Sequence, residues 1–312
     1  MKSIDNELIS MQSVRVPLSK MTSKPESISK SEPMITTLNQ IQKPLINAEF
    51  SKNAKLYDSV AKVQRKIADR LVSLTLLAHF KDQAHELSIL DAGCGTGYVG
   101  LSLCNALFAQ KALVTKLPSV TALDLSKEML EVARMRNIYE AYYQGDIEAL
   151  PFADSSFDLV LSSLAIQWCH EPQRAISELV RVAKSAFKSR DENEKAAKPS
   201  VIISTLVEGS LHELISAFKT IDDEKHVIDF ISESALSKIV EQYGGKVTIY
   251  KEIMHFESLK SLFKSLKNIG ATALKNRRKG LLGRESYQKL EQFFKHNGGY
   301  QLTYTVALIE IP

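Results

Sequence analysis

The chain has 312 residues, 44% of them apolar and 24% charged, with a formal net charge of +4. That balance is ordinary for a globular protein, and the length allows one large α/β domain with appendages or about two domains. The mild positive charge does not call for nucleic acid and suits an acidic protein partner. No apolar run approaches the roughly 18 residues that span a bilayer. Cys94, Cys104 and Cys169 are odd in number and widely spaced, which argues against a disulfide framework and for a reducing, cytoplasmic setting. Cys169-His170 has no ligand spacing around it, so no metal site is expected.

Residues 1–45 are rich in Ser, Lys, Thr and Pro and lack sustained periodicity, which predicts a disordered tail. They contain no apolar h-region of a secretory signal, and Asp5, Glu7, Glu26 and Glu32 break the acid-poor pattern of a mitochondrial presequence. Residues 46–80 turn helical, with Phe50, Ala54, Tyr57, Val60 and Ala61, then Ile67, Leu71, Leu74 and Leu77, on apolar faces. Asp58-Ser59 is the expected break between two cap helices. Composition alone favours reading Tyr57 as a core-edge residue.

Leu87-Ser88-Ile89-Leu90 predicts a buried strand, and Tyr98 to Leu107 a helix. Between them Asp91-Ala92-Gly93-Cys94-Gly95-Thr96-Gly97 forms a tight turn. Glycine there permits the backbone path and close approach of a ligand, and the helix N-terminus favours an anionic group. Gly95-Thr96-Gly97-Tyr98-Val99-Gly100 formally fits a dinucleotide fingerprint. Asp91, however, would repel a pyrophosphate and suits a ligand carrying an ammonium group.

A second strand, Ser119–Leu123, ends at Asp124, and Ser126 is placed to cap the helix that begins at Lys127. An acid at that strand end accepts from both hydroxyls of a ribose, in nicotinamide and S-adenosylmethionine (SAM) sites alike. A third strand from Ala141 runs into Gly145-Asp146-Ile147-Glu148. There Asp146 could accept from an adenine amino group while Ile147 packs on the ring. The fourth strand lies within Ser156–Ser163, a helix opens at Glu171-Pro172, residues 185–200 form a surface loop, and Val201–Leu206 is the fifth strand. Strands alternating with helices predict a doubly wound parallel sheet, with the ligand at its carboxyl ends. Beyond it come helices from Gly209 and from Ser232 to Tyr243, a strand at Val247–Tyr250, a helical face of Leu259, Phe263, Leu266 and Ile269, and a last strand at Leu302–Ile309.

The order of Asp91, the glycines, Asp124 and Asp146 resembles class I SAM-dependent methyltransferases. Leu164-Ala165-Ile166-Gln167-Trp168-Cys169, Thr205–Leu211, Ser265–Thr272 and Leu302-Thr303-Tyr304 are more specific. They are similar to the malonyl-[acyl-carrier protein] O-methyltransferase (BioC) family of biotin synthesis, from about Phe50 to the C-terminus. The resemblance implies an α/β, mostly parallel seven-stranded sheet with a helical cap. It places a methyltransferase domain at 81–312, with a cap insertion at about 257–300. The implied cofactor is SAM, held by Asp91, Gly93, Gly95, Gly97, Asp124, Leu125, Met129, Asp146, Ile147 and Ser162. The implied substrate is a malonyl thioester on acyl-carrier protein, its carboxylate held among Tyr57, Gln167, Trp168, Arg181 and Tyr304. Lys275, Arg277, Arg278, Lys279 and Arg284 form a basic run that could dock the acidic carrier. A quinone C-methyltransferase, and an assembly factor of respiratory complex I acting on a protein subunit, share the SAM motifs and stand as alternatives.

Overall fold

The computed structural model describes residues 43–80, 87–109, 117–184, 198–268 and 283–312. Residues 1–42 of the expected tail, most of the 185–200 loop, and Lys275, Arg277, Arg278 and Lys279 lie outside the described residues.

One seven-stranded sheet has the order β3-β2-β1-β4-β5-β7-β6. Its parallel part comprises β1 (Ser88–Ala92), β2 (Ser119–Asp124), β3 (Ala141–Gln144), β4 (Leu159–Ser163) and β5 (Val201–Leu206). β6 (Lys246–His255) and β7 (Gln301–Ile311) close one side antiparallel. The mostly parallel, doubly wound expectation holds. Successive strand residues face opposite sides of the sheet. Leu90, Leu123, Val160 and Ile203 pack on one side, and Ile89, Ala122, Leu159 and Ile202 on the other. Burial on both faces explains why these strands read as apolar runs rather than as alternation.

The first side packs against α5 (Pro172–Val182) and α7 (Glu233–Glu241), the second against α2 (Lys62–His79) and α3 (Tyr98–Ala109). A third cluster joins α2, α6 (His212–Phe218), α8 (Leu259–Asn268) and α9 (Arg284–His296) to one end of β7. Ser126 caps α4 (Lys127–Arg134) as expected, accepting from Met129 N at 3.2 Å.

The N-terminal region departs from expectation in two ways. α1 spans Lys43–Val60, so the helix begins inside the stretch read as a tail, and the chain breaks at Ala61 rather than at Asp58-Ser59. Ala61 has ψ +47°, outside the helical range, whereas Asp58 stays helical and its side chain reaches Thr96 in the glycine turn.

Candidate active site

The carboxyl ends of β1 to β4 surround a cavity, and α1 lies across it. Its empty space is about 1070 Å³ including the mouth, a size suited to a nucleotide-sized ligand. Gly93 N and Cys94 N both donate to Leu123 O, at 2.7 and 3.0 Å, fixing the glycine turn against β2. Gly93 has φ +75°, and a Cβ there would stand 2.4 Å from Ala165 Cβ. At Gly95, φ +54°, a Cβ would meet nothing within 4 Å, so its surroundings are open.

Asp124 accepts from Gly95 N through Oδ2 and from Ser126 N through Oδ1, each at 2.8 Å. A carboxylate can accept about four hydrogen bonds, so capacity remains for a pair of vicinal hydroxyls. Burial pushes its pKa up despite these N–H donors. Leu125, Met129, Ile147, Gly93, Gly95 and Asp146 also line the cavity. Asp146 accepts from Glu148 N at 3.0 Å and is paired with Lys43 Nζ.

Three expected cofactor residues are not on the cavity wall. Asp91 is 1% exposed and accepts from Tyr139 Oη at 2.6 Å, while its Oδ1 is buried without a partner. Gly97 packs against the Tyr139 ring, and Ser162 Oγ donates to Ala92 O at 2.9 Å, tying β4 to β1. These residues brace the turn, and Ser163 and Leu164 line the cavity in place of Ser162.

Burial raises the Asp91 pKa to about 7, against the hydrogen bond from Tyr139. A carboxyl whose pKa is higher folded than unfolded stabilises the fold fully below its unfolded value and loses that contribution as pH rises through the folded one. The expected result is stability falling by up to about 4 kcal/mol between about pH 4 and pH 7, a dependence that Asp91→Asn removes. Denaturant unfolding at several pH values reads this directly. Equal slopes in both proteins would show that folding does not raise the Asp91 pKa.

A second chamber, lined by Gln167, Leu206, Leu211, Val227, Ile228, Phe230 and Tyr304, shares Phe50, Tyr57, Gln64, Leu164 and Trp168 with the first. Phe50 meets Trp168 edge to face at 5.5 Å between ring centroids. The Tyr304 hydroxyl is buried without a partner, and burial raises its pKa, as it does that of Tyr57. Both phenols therefore stay protonated and act as hydrogen-bond donors at neutral pH. Gln167 is already committed, donating to Leu164 O at 2.7 Å and accepting from Thr205 Oγ1 at 3.1 Å.

Arg181 belongs to neither chamber. Its guanidinium donates to Glu178, Asp154, Leu150 O and Phe152 O, so it fastens α5 to the 150–154 loop. Those partners raise its pKa further. Its expected place at the substrate is corrected to a structural one. Arg181→Ala is expected to cost roughly 1–3 kcal/mol of stability, while kcat of the folded enzyme stays within about threefold. A melt and a rate measured on the same sample separate the two effects.

The family described as Methyltransferase domain matches residues 90–186. A malonyl-[acyl-carrier protein] O-methyltransferase of Yersinia pestis is 36% identical over 85% of this chain and 89% of its own. One from Hamiltonella defensa is 33% identical over 86% of this chain and 96% of its own. The chain belongs to the malonyl-[acyl-carrier protein] O-methyltransferase family. A bifunctional biotin biosynthesis protein BioHC of Teredinibacter turnerae is 32% identical over 82% of this chain, which spans 44% of that protein. These relatives favour the methyltransferase reading over the assembly-factor alternative.

The family's cofactor is SAM, and the cavity fits it. The glycine turn is open at Gly95, Asp124 faces the cavity as a hydrogen-bond acceptor, and Ile147 offers an apolar wall. Sequence reasoning missed how α1 is fastened over this site. Lys43 pairs with Asp146 and Glu148 beyond β3. Ser51 Oγ lies 3.0 Å from Ser126 Oγ and 2.5 Å from Glu128 Oε2 beyond β2. Asp58 accepts from Thr96 Oγ1 at 2.7 Å in the glycine turn and pairs with Arg136. Each clasp ends on a loop that carries an expected cofactor residue. In the sequence the spacing around Phe50 and Tyr57 marked a helix, and the family resemblance alone put Tyr57 at the site.

Proposed function

We propose that this protein transfers a methyl group from SAM to the free carboxylate of a malonyl thioester on acyl-carrier protein, giving the methyl ester used early in biotin synthesis. The observation that carries this reading is the second chamber, which opens off the cofactor cavity and has no charged side chain in its lining. A malonyl carboxylate has a pKa near 4 and is ionised at neutral pH, so no general base is needed. SAM supplies an electrophilic methyl on a cationic sulfur. The new bond is carboxylate O–CH₃, the broken one is S–CH₃, and both products are neutral at those atoms.

Charge is lost on the way to the transition state, so a low-dielectric site favours the step over water. A guanidinium or ammonium ion pair would stabilise the carboxylate and blunt it as a nucleophile. Tyr304 and Tyr57 offer neutral hydroxyl donors instead, which can orient the carboxylate at a smaller cost to its reactivity. Phe50, Leu164 and Trp168 in the shared wall exclude water and set the approach to the methyl group. Gln167 acts by fixing the Leu164 turn, where φ is +52°.

The thioester arm ties the substrate to an acidic carrier, for which the basic run from Lys275 to Arg284 is the proposed docking element. Arg284 opens α9. Incubation with methyl-labelled SAM tests the reading, with malonyl-carrier and acetyl-carrier proteins offered side by side. Label on the malonyl species alone is the expected outcome. Equal labelling of both, or label on the carrier polypeptide, would remove the carboxylate from the reaction.

A further inference from the structure

Two polar atoms in the wall of the cofactor cavity are buried and have no hydrogen-bond partner: Gln64 Oε1 and Arg65 Nε. Both residues lie in the first turn of α2, and both line the cavity. The Arg65 guanidinium is partly exposed, but its Nε and the Gln64 Oε1 are buried, and polar atoms left open in a cavity wall call for a partner that enters the cavity.

Two cationic side chains line this cavity, Lys43 and Arg65. Lys43 is already matched by Asp146 and Glu148 at the β3 end. Arg65 is held loosely, its Nη2 being 3.8 Å from Asp58 and its guanidinium 5.1 Å from the centre of the Tyr98 ring. The nucleoside acceptors Asp124 and Asp146 lie beyond β2 and β3, whereas Asp58 and Tyr98, the neighbours of Arg65, adjoin the glycine turn. An elongated ligand with its nucleoside at those acids points its other end toward Arg65 and Gln64. Asp91, the residue the sequence suggested for an ammonium group there, is walled off from the cavity.

We infer that Gln64 and Arg65 form the recognition site for the amino-acid end of SAM, Arg65 taking the carboxylate and the Gln64 carbonyl accepting from the ammonium. The assignment rests on the cofactor reading above and adds to it the residues that distinguish SAM from simpler nucleosides. Arginine suits the role because its planar donors match a carboxylate and it stays charged at any working pH.

The test uses the full-length protein and calorimetry with two ligands. S-adenosylhomocysteine carries the amino-acid end, and 5′-methylthioadenosine lacks it. In Arg65→Met, affinity for S-adenosylhomocysteine is expected to fall about 10- to 150-fold, with that for methylthioadenosine within about twofold of wild type. Gln64→Leu is expected to show the same selectivity to a smaller degree, and Arg65→Lys to recover part of the loss. Parallel loss of both ligands would assign the two residues to the fold instead, and unchanged S-adenosylhomocysteine binding would overturn the inference outright. If the wild-type protein bound neither ligand, the cofactor reading itself would fail, and the inference with it.

Discussion

Asp124→Ala is expected to weaken SAM binding by more than ~100-fold and to abolish methyl transfer in a protein that still folds. The carboxylate stands at the end of β2, Oδ2 accepting from Gly95 N and Oδ1 from Ser126 N, with the Leu125 N–H also acting on it. That arrangement fixes its plane, and the residue lines the cavity with acceptor capacity left for ligand hydroxyls. Two hydrogen bonds from ribose hydroxyls to a charged acceptor are worth about 1.5–3 kcal/mol each, which sets the scale of the loss. Folding is affected less. Burial raises the pKa of this carboxyl, so its charge is held at a cost that alanine removes, partly offsetting the two N–H groups left open. A thermal melt of the cofactor-free variant within a few degrees of wild type, beside a lost calorimetric signal for SAM, is the expected pair of results. Affinity kept within about threefold would take Asp124 out of the cofactor site.

Gly93→Ala is expected to be the most damaging single-methyl change in the glycine turn, at roughly 3 kcal/mol or more. The added Cβ would stand 2.4 Å from Ala165 Cβ and 3.1 Å from Ile147 Cδ1, and φ +75° is itself unfavourable for alanine. Ala165 belongs to the segment leading to Trp168, and Ile147 is the expected wall for the adenine. Relief by displacement would therefore deform the cofactor cavity and its border with the second chamber. Gly95→Ala is the control, because a Cβ there meets nothing within 4 Å and only φ +54° opposes it. In the double variant Gly93→Ala/Ala165→Gly the collision with Ala165 is gone, and the contact with the flexible end of Ile147 and about 1–2 kcal/mol from the left-handed backbone should remain. Denaturant unfolding of the single and double variants measures both contributions. A double variant no more stable than Gly93→Ala would mean that the contact with Ala165 is not what makes glycine necessary.

The parallel half of the fold was legible because each element carried its own local signal. Buried apolar runs marked β1, β2, β4 and β5, Ser126 marked the start of α4, and Glu171-Pro172 marked α5. Asp124, Asp146 and the glycine turn were legible for the same reason, since a strand end is a local feature. What a side chain faces after folding is not local. Asp91 and Ser162 sit at strand ends as Asp124 does, yet they turn inward onto Tyr139 and the Ala92 carbonyl. Arg181 was placed at the substrate by the family resemblance and its charge, and its partners lie some thirty positions back in the 150–154 loop.

The clasps of α1 depend on pairs far apart in sequence, the Lys43–Asp146 pair spanning 103 positions. Nothing in the composition of a polar, Lys- and Ser-rich segment announces them. The helix α9, which the sequence reading passed over, did carry a signal: Leu290 and Phe294 are four residues apart and both buried. Its exposed polar residues and the basic segment before it masked that spacing.

The measurement that bears most directly on the central claim is the position of the transferred methyl group. The carrier product made with methyl-labelled SAM should release its label as methanol under mild alkaline hydrolysis, because a carboxylate oxygen is the proposed nucleophile. Label that survives hydrolysis on carbon, nitrogen or sulfur would contradict the account at its centre.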